Sequence, residues 1–272
     1  SRLIDQAPAA WCAIELALLD VLAKQSRVSV AELLHLPEPK SHSGYSAIIG
    51  ANSVNKAILF RLMGFKDFKL KVTEQCKRND RMFKLLRCLA IGRQQLRLDA
   101  NNSWSTASAC IDALAPYKTR FWAIEEPIQA FDFSGMKKVA HALDCKVILD
   151  ESLLSTPHLQ QVIDGKAYFL ANVRLSRLGG VLRTVETIRQ LVNADMPFIF
   201  GSHVGESSLL ASVQHMLATR FANHIVAVEG GFGTWLLQHD PFHPNLKIGF
   251  GGRLSQSRVA DSDTGWGIDY VD

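Results

Sequence analysis

The chain has 272 residues, 47% of them hydrophobic and 21% charged, which is the make-up of a folded globular protein and excludes a disordered chain, a collagen or a coiled coil. Its net charge of +4, from 30 Lys+Arg against 26 Asp+Glu, is scattered without a block of five like charges, so nucleic acid is not expected as a partner. The five cysteines include no C-x-x-C pair and read as reduced thiols in a cytoplasmic setting, and no apolar run approaches the ~18 residues of a membrane span.

The first forty residues read as helical. Ile14, Ala17, Leu18, Val21 and Leu22 recur at the spacing of one helix face. Ser29 followed by Glu32 is a capping box that opens a second short helix. Pro37 and Pro39 end that helix and begin a linker. From Gly44 short β-rich runs alternate with helical stretches. The runs are Tyr45–Ile49, Asp67–Val72, Gln95–Asp99, Trp122–Glu125, Lys146–Asp150, Tyr168–Leu175, Pro197–Gly201 and Ile225–Glu229. Amphipathic segments lie between them, among them Glu74–Ile91, Thr106–Tyr117, Val181–Val192 and Ser207–Arg220. Eight strands with seven intervening helices predict an α/β fold, a modified TIM-type (β/α)7β barrel. The expected organisation is a helical cap remnant over residues 1–43, the barrel over 44–235, and a C-terminal segment over 236–272 that packs back on one or the other.

Barrel sites lie at the C-terminal ends of the strands. Three consecutive strands end in a carboxylate there: Asp99, Glu125 and Asp150. Side chains alternate along a strand, so one acid from each can face the mouth. Left unpaired, three such acids repel one another; a hard divalent cation with oxygen ligands, Mg²⁺ first and Mn²⁺ second, relieves this. The bland alternative for each acid is a solvated strand end or a salt bridge. Lys69 and Lys71 stand two apart on the neighbouring strand and share a face. Facing inward beside a dication, a lysine held neutral is a competent general base; facing outward, the pair is merely exposed. Gly179-Gly180 reads as a tight turn before a helix rather than an anion cradle.

Taken in order, "GFKDFKLKV", "LRLDANNSW", "AIEEP", "LDES" and "RLSRLGG" resemble the enolase superfamily, in its muconate-lactonizing and dipeptide-epimerase-like branch. The resemblance covers most of the chain. It implies a capped barrel holding one essential Mg²⁺ on Asp99, Glu125 and Asp150. It also implies that Lys71 removes the proton α to a carboxylate, giving a metal-stabilised enediolate, while Lys69 tunes it and touches the substrate carboxylate. Asn101, Glu126, Glu151 and Ser202 would back the site or touch the substrate. The implied partner is a small carboxylate substrate, and members of this family often assemble as homo-oligomers, although no interface is legible in this chain.

Three departures from the family pattern bear on the outcome. Arg174 stands where this branch carries a second catalytic lysine; arginine clamps or stabilises an anion but is a poor base. This favours a one-face outcome, elimination or cycloisomerisation, over a two-lysine racemisation, with a racemisation or epimerisation assisted by His203 as the remaining alternative. His203 ends strand 7, where the mandelate-racemase-like branch has an opposite-face base, but the aspartate that orients it is replaced by Arg174. Glu229 on strand 8 is a candidate to bond a substrate oxygen. The cap's leading β-sheet has no counterpart, and a chain opening on Ser1 reads as a fragment or processed product. The competing reading is a metal-binding homologue whose catalysis is impaired by Arg174 and the shortened cap.

Overall fold

The computed structural model describes residues 2–41, 44–154, 156–254 and 264–271. Helices α1 (Arg2–Gln6), α2 (Pro8–Ser26) and α3 (Val30–Leu33) come first. Eight strands follow: β1 (Ala47–Ile49), β2 (Phe68–Lys71), β3 (Leu96–Asp99), β4 (Ala123–Glu125), β5 (Lys146–Leu149), β6 (Phe169–Val173), β7 (Phe198–Phe200) and β8 (Ile225–Val228). Between them run α4 (Val54–Leu62), α5 (Cys76–Cys88), α6 (Ala107–Leu114), α7 (Phe133–Leu143), α8 (Thr156–Asp164), the short α9 (Leu175–Leu178), α10 (Val181–Asn193) and α11 (Ser208–Arg220). The strands are ordered β1 to β8 in one sheet. The expected α/β class and its strand–helix alternation are therefore present, with β6 shorter than read because Leu175 already begins α9.

Two compact units divide the chain. The first comprises Ser46–Asn172 with Phe250–Gly252, and so holds β1 to β5 and most of β6. Its strands pair in parallel from β1 to β6. Leu96, Leu98, Ile124, Val147, Ile148, Phe169 and Leu170 are all buried, as expected of parallel strands covered on both faces. Local signals set the helix starts. The Thr106 hydroxyl accepts the Ala109 N–H at 3.2 Å ahead of α6, and the Asp132 carboxylate accepts the Gly135 N–H at 2.8 Å ahead of α7; each satisfies a donor that the first helical turn leaves unpaired.

The second unit holds the rest: residues 1–45, 173–249 and 253–272. The expected junction after residue 43 falls outside the described residues. The capping box is present: the Ser29 hydroxyl accepts the Glu32 N–H at 3.2 Å and the Glu32 carboxylate accepts the Ser29 N–H at 2.8 Å. The apolar face of α2 is not the one its periodicity suggests. Cys12, Leu16, Leu19 and Ala23 are buried, whereas Ile14, Leu18, Val21 and Leu22 are exposed. The helix is apolar on nearly every side, so spacing alone could not choose the face that its neighbours cover. The tail returns to these helices. Val30 N–H donates to Gly265 O at 3.0 Å, and the Trp266 indole N–H donates to Leu16 O at 2.8 Å.

The glycine pair ahead of α10 turns with φ of +86° at Gly179 and +126° at Gly180. The helix N-terminus is occupied by the chain's own anion. The Glu15 carboxylate of α2 accepts the Val181 N–H, and the Leu182 N–H at 3.3 Å. A side chain at position 180 would run into that carboxylate, its Cβ falling 1.9 Å from Glu15 Oε2.

Candidate active site

Strand register assembles the site in the first unit. Lys71 pairs with Asp99, Asp99 with Glu125, Glu125 with Ile148 and Ile148 with Leu170. Neighbours across a parallel ladder point to the same side, and so do residues two apart on one strand. Lys69, Lys71, Asp99, Glu125, Asp150 and Asn172 thus share one face. Lys69, Asp99, Glu125, Asp150 and Asn172 are each at most 4% exposed; the Lys71 side chain is 44% exposed.

The lysines divide the work of balancing the acids. Lys69 Nζ lies 2.8 Å from Glu125 Oε2 and 3.4 Å from Asp99 Oδ2. Lys71 Nζ lies 3.5 Å from Asp99 Oδ2 and donates to Asn101 Oδ1 at 2.8 Å. Asn101 in turn donates its backbone N–H to Asp99 Oδ1 at 3.2 Å, its own backbone held at φ +45°. A buried cation between two buried carboxylates offsets much of their repulsion and desolvation.

Glu126 follows the end of β4 with φ of +38°, a left-handed conformation costing on the order of 1 kcal/mol for a residue with a Cβ. It is fully buried. Its Oε1 accepts the backbone N–H groups of Asp150 at 2.8 Å and Ser152 at 2.7 Å, and its Oε2 accepts the Ser152 hydroxyl at 3.0 Å. Asn102 Nδ2 lies 3.4 Å from Oε2 and donates to Ile128 O at 2.5 Å. Glu126 therefore fixes the backbone from which the Asp150 carboxylate projects. Burial pushes its own carboxyl up to about 7, the half-buried Glu151 adding to the rise.

In kind, the acids suit a hard dication: three oxygen donors on one face, buried, on consecutive strands. In arrangement, Asp99 and Glu125 are paired instead with the Lys69 ammonium. Among the described residues no group of three or more His, Cys, Asp or Glu side chains has the spacing of a metal shell. The donor chemistry fits the cation, whereas the shell spacing is not formed.

The other expected site residues stand in the second unit. Glu229, just past β8, is buried, and its N–H donates to Phe200 O at 2.8 Å. Gln214 of α11 ties the ends of β7 and β8 together, donating to Gly201 O at 2.9 Å and Glu229 O at 2.7 Å. Ser202 is half-buried beside Gly230, where a Cβ would fall 2.7 Å from its Oγ. Arg174 is half-buried at the start of α9. His203 is nearly half exposed, its Nδ1 2.9 Å from Ser176 Oγ and 3.7 Å from Glu206 Oε1. The His203 backbone N–H donates to Glu206 Oε1 at 2.7 Å. In place of the strand-6 aspartate, the histidine has a serine and a glutamate. Sequence reasoning passed over Ser176, Glu206, Ser152 and Asn172; the alternation that selected Asp150 also selects Asn172, had uncharged side chains been counted.

Comparison with known proteins agrees with this architecture. The chain belongs to the family described as enolase C-terminal domain-like, whose model it matches over residues 54–270. Among characterised relatives, an L-Ala-D/L-Glu epimerase of Francisella tularensis subsp. novicida is 28% identical over 217 residues, covering 77% of this chain and 60% of the relative. An N-succinyl-L-Arg/Lys racemase of Bacillus cereus is 27% identical, covering 75% of this chain and 56% of the relative. The chain thus spans about three fifths of the length of these relatives. The fold is like that of the dipeptide epimerase from Enterococcus faecalis V583, at TM-score 0.82 and 22% identity over 97% of this chain and 75% of that one. Muconate lactonizing enzyme has a TM-score of 0.81 at 20% identity, covering 96% of this chain and 72% of that one. The expected enolase-superfamily membership and modified-barrel class both hold.

Proposed function

We propose that this chain carries the barrel of a magnesium-dependent epimerase or racemase acting on a small carboxylate, of the dipeptide or N-acyl amino acid kind. The observation that carries the reading is the single strand face on which buried Lys69, Asp99, Glu125 and Asp150 stand with the accessible Lys71. The relatives' names support epimerisation over the elimination or cycloisomerisation favoured by Arg174, and one of the similar structures is a dipeptide epimerase complexed with Mg and a dipeptide.

Asp99, Glu125 and Asp150 would hold the cation, with Mn²⁺ as a substitute. When bound, it supplies positive charge that makes the proton α to a carboxylate removable. Lys71 Nζ, at the accessible end of the face, takes that proton. Asn101 holds the amine from one side, so its approach is set before substrate arrives. Lys69 keeps positive charge beside Asp99 and Glu125 and is placed for the substrate carboxylate. Glu126 keeps the Asp150 backbone in place. Substrate contact is proposed for Arg174, Ser202 and Glu229, Arg174 as an anion clamp, and return of the proton for His203.

The test is α-deuterium uptake in D₂O with Mg²⁺ over a panel of dipeptides and N-acyl amino acids. Exchange that is lost in Lys71→Ala, by at least about 10³-fold, supports the reading. Exchange that survives Lys71→Ala defeats the base assignment. Magnesium binding with no exchange for any substrate favours the second reading, an impaired homologue, for which Arg174 in the lysine position is the specific observation.

A further inference from the structure

Asn172 is 2% exposed and stands on the face of the three acids, in line with Asp150. Its Nδ2 donates to Glu125 Oε1 at 3.2 Å. That contact fixes which end of the amide is which, because a carboxylate oxygen accepts hydrogen bonds and does not donate them. Asn172 Oδ1 is therefore the free end. It is buried without a hydrogen-bond partner among the described residues. A buried carbonyl oxygen left unpaired costs free energy and calls for a partner that the side chains around it do not supply. A neutral oxygen is also what a site with three carboxylates can accept without further repulsion, and magnesium shells combine carboxylates with neutral oxygens.

We propose that Asn172 belongs to the cation site, its amide nitrogen orienting Glu125 and its carbonyl oxygen serving the cation's ligand shell. This rests on the magnesium reading above and adds to it a residue that neither the carboxylate pattern nor the family motifs point to.

Calorimetric titration of Mg²⁺ into the full chain tests it, using wild type, Asp150→Asn, Asn172→Leu and Asn172→Asp, each shown to be folded by circular dichroism. Asn172→Leu is expected to weaken binding about 10–100-fold. Asn172→Asp keeps an oxygen at the position but loses the donor to Glu125 and sets a like charge beside it, and is expected to weaken binding clearly less than Asn172→Leu does. Should Asn172→Leu not fold, Asn172→Ser, too short to reach, carries the same expectation. Loss of binding in Asp150→Asn together with wild-type affinity in Asn172→Leu overturns the role of Asn172 and leaves the magnesium reading standing. Equal weakening in Asn172→Leu and Asn172→Asp overturns the oxygen-donor role, leaving only the hydrogen bond to Glu125. Absence of binding by wild type sinks the magnesium reading and this inference together.

Discussion

Glu126 shows how a side chain with no place in proton transfer can still govern the site. Its carboxylate gathers two backbone N–H groups and a hydroxyl from the segment after β5. Glu126→Ala would strand those buried donors, and a loss of about 2–4 kcal/mol is expected in urea unfolding. Glu126→Gln keeps an acceptor oxygen and should cost clearly less. Thiol reactivity offers a second check at this scale. Burial pushes the Cys12, Cys110 and Cys145 thiols up to about 12, while Cys76 and Cys88 are exposed. Since the thiolate is the nucleophile, alkylation of the folded chain near pH 8 should reach Cys76 and Cys88 and spare the other three. Mass spectrometry reads the pattern directly.

At the scale of elements, α2 is the least ordinary piece. Its buried side is narrow, and its outer side presents Trp11, Ile14, Leu18, Val21 and Leu22. Leu19→Ala, on the buried side, is expected to cost about 2–5 kcal/mol, whereas Leu18→Gln one residue earlier should fall within about 0.5 kcal/mol of wild type. Chemical denaturation of the two variants distinguishes the faces. The same helix supplies the Glu15 carboxylate to the start of α10. Desolvation raises the pKa of that carboxyl despite the two backbone bonds that oppose the rise. A carboxyl raised on folding adds stability below its unfolded range and loses it as pH climbs through its folded value. Wild type should therefore lose stability relative to Glu15→Gln as pH rises from about 4 towards neutrality, followed as the difference between the two melting temperatures. A difference that stays flat or runs the other way would show that the helix N-terminus, not burial, sets the charge on Glu15.

For the whole molecule, the prediction concerns the cation. A ligand bound only by the folded state stabilises it by about 2.7 kcal/mol at a hundred times its Kd. Magnesium should therefore raise the melting temperature of wild type, and a chelator should reverse the gain. Asp99→Asn and Asp150→Asn should melt at temperatures that ignore magnesium. Among the described residues no helix is long and apolar enough to cross a membrane.

Much of this protein is written locally. The strand–helix rhythm, the Ser29–Glu32 cap, the glycine turn before α10 and the acids at the ends of β3, β4 and β5 each depend on a few neighbouring residues and follow from spacing. Alternation put Lys69 and Lys71 on one side of β2, whereas the row of Lys71, Asp99 and Glu125 came from the register between strands. What local spacing cannot carry is which partner arrives from far along the chain. It does not reveal that Glu15 caps a helix whose bonded N–H groups lie 166 and 167 residues later, that α2 buries Leu19 and not Leu18, that His203 meets Ser176 and Glu206, or that Asn172 leans on Glu125. Those outcomes are decided by long-range packing, because a side chain's environment is set by whatever surface the fold brings against it.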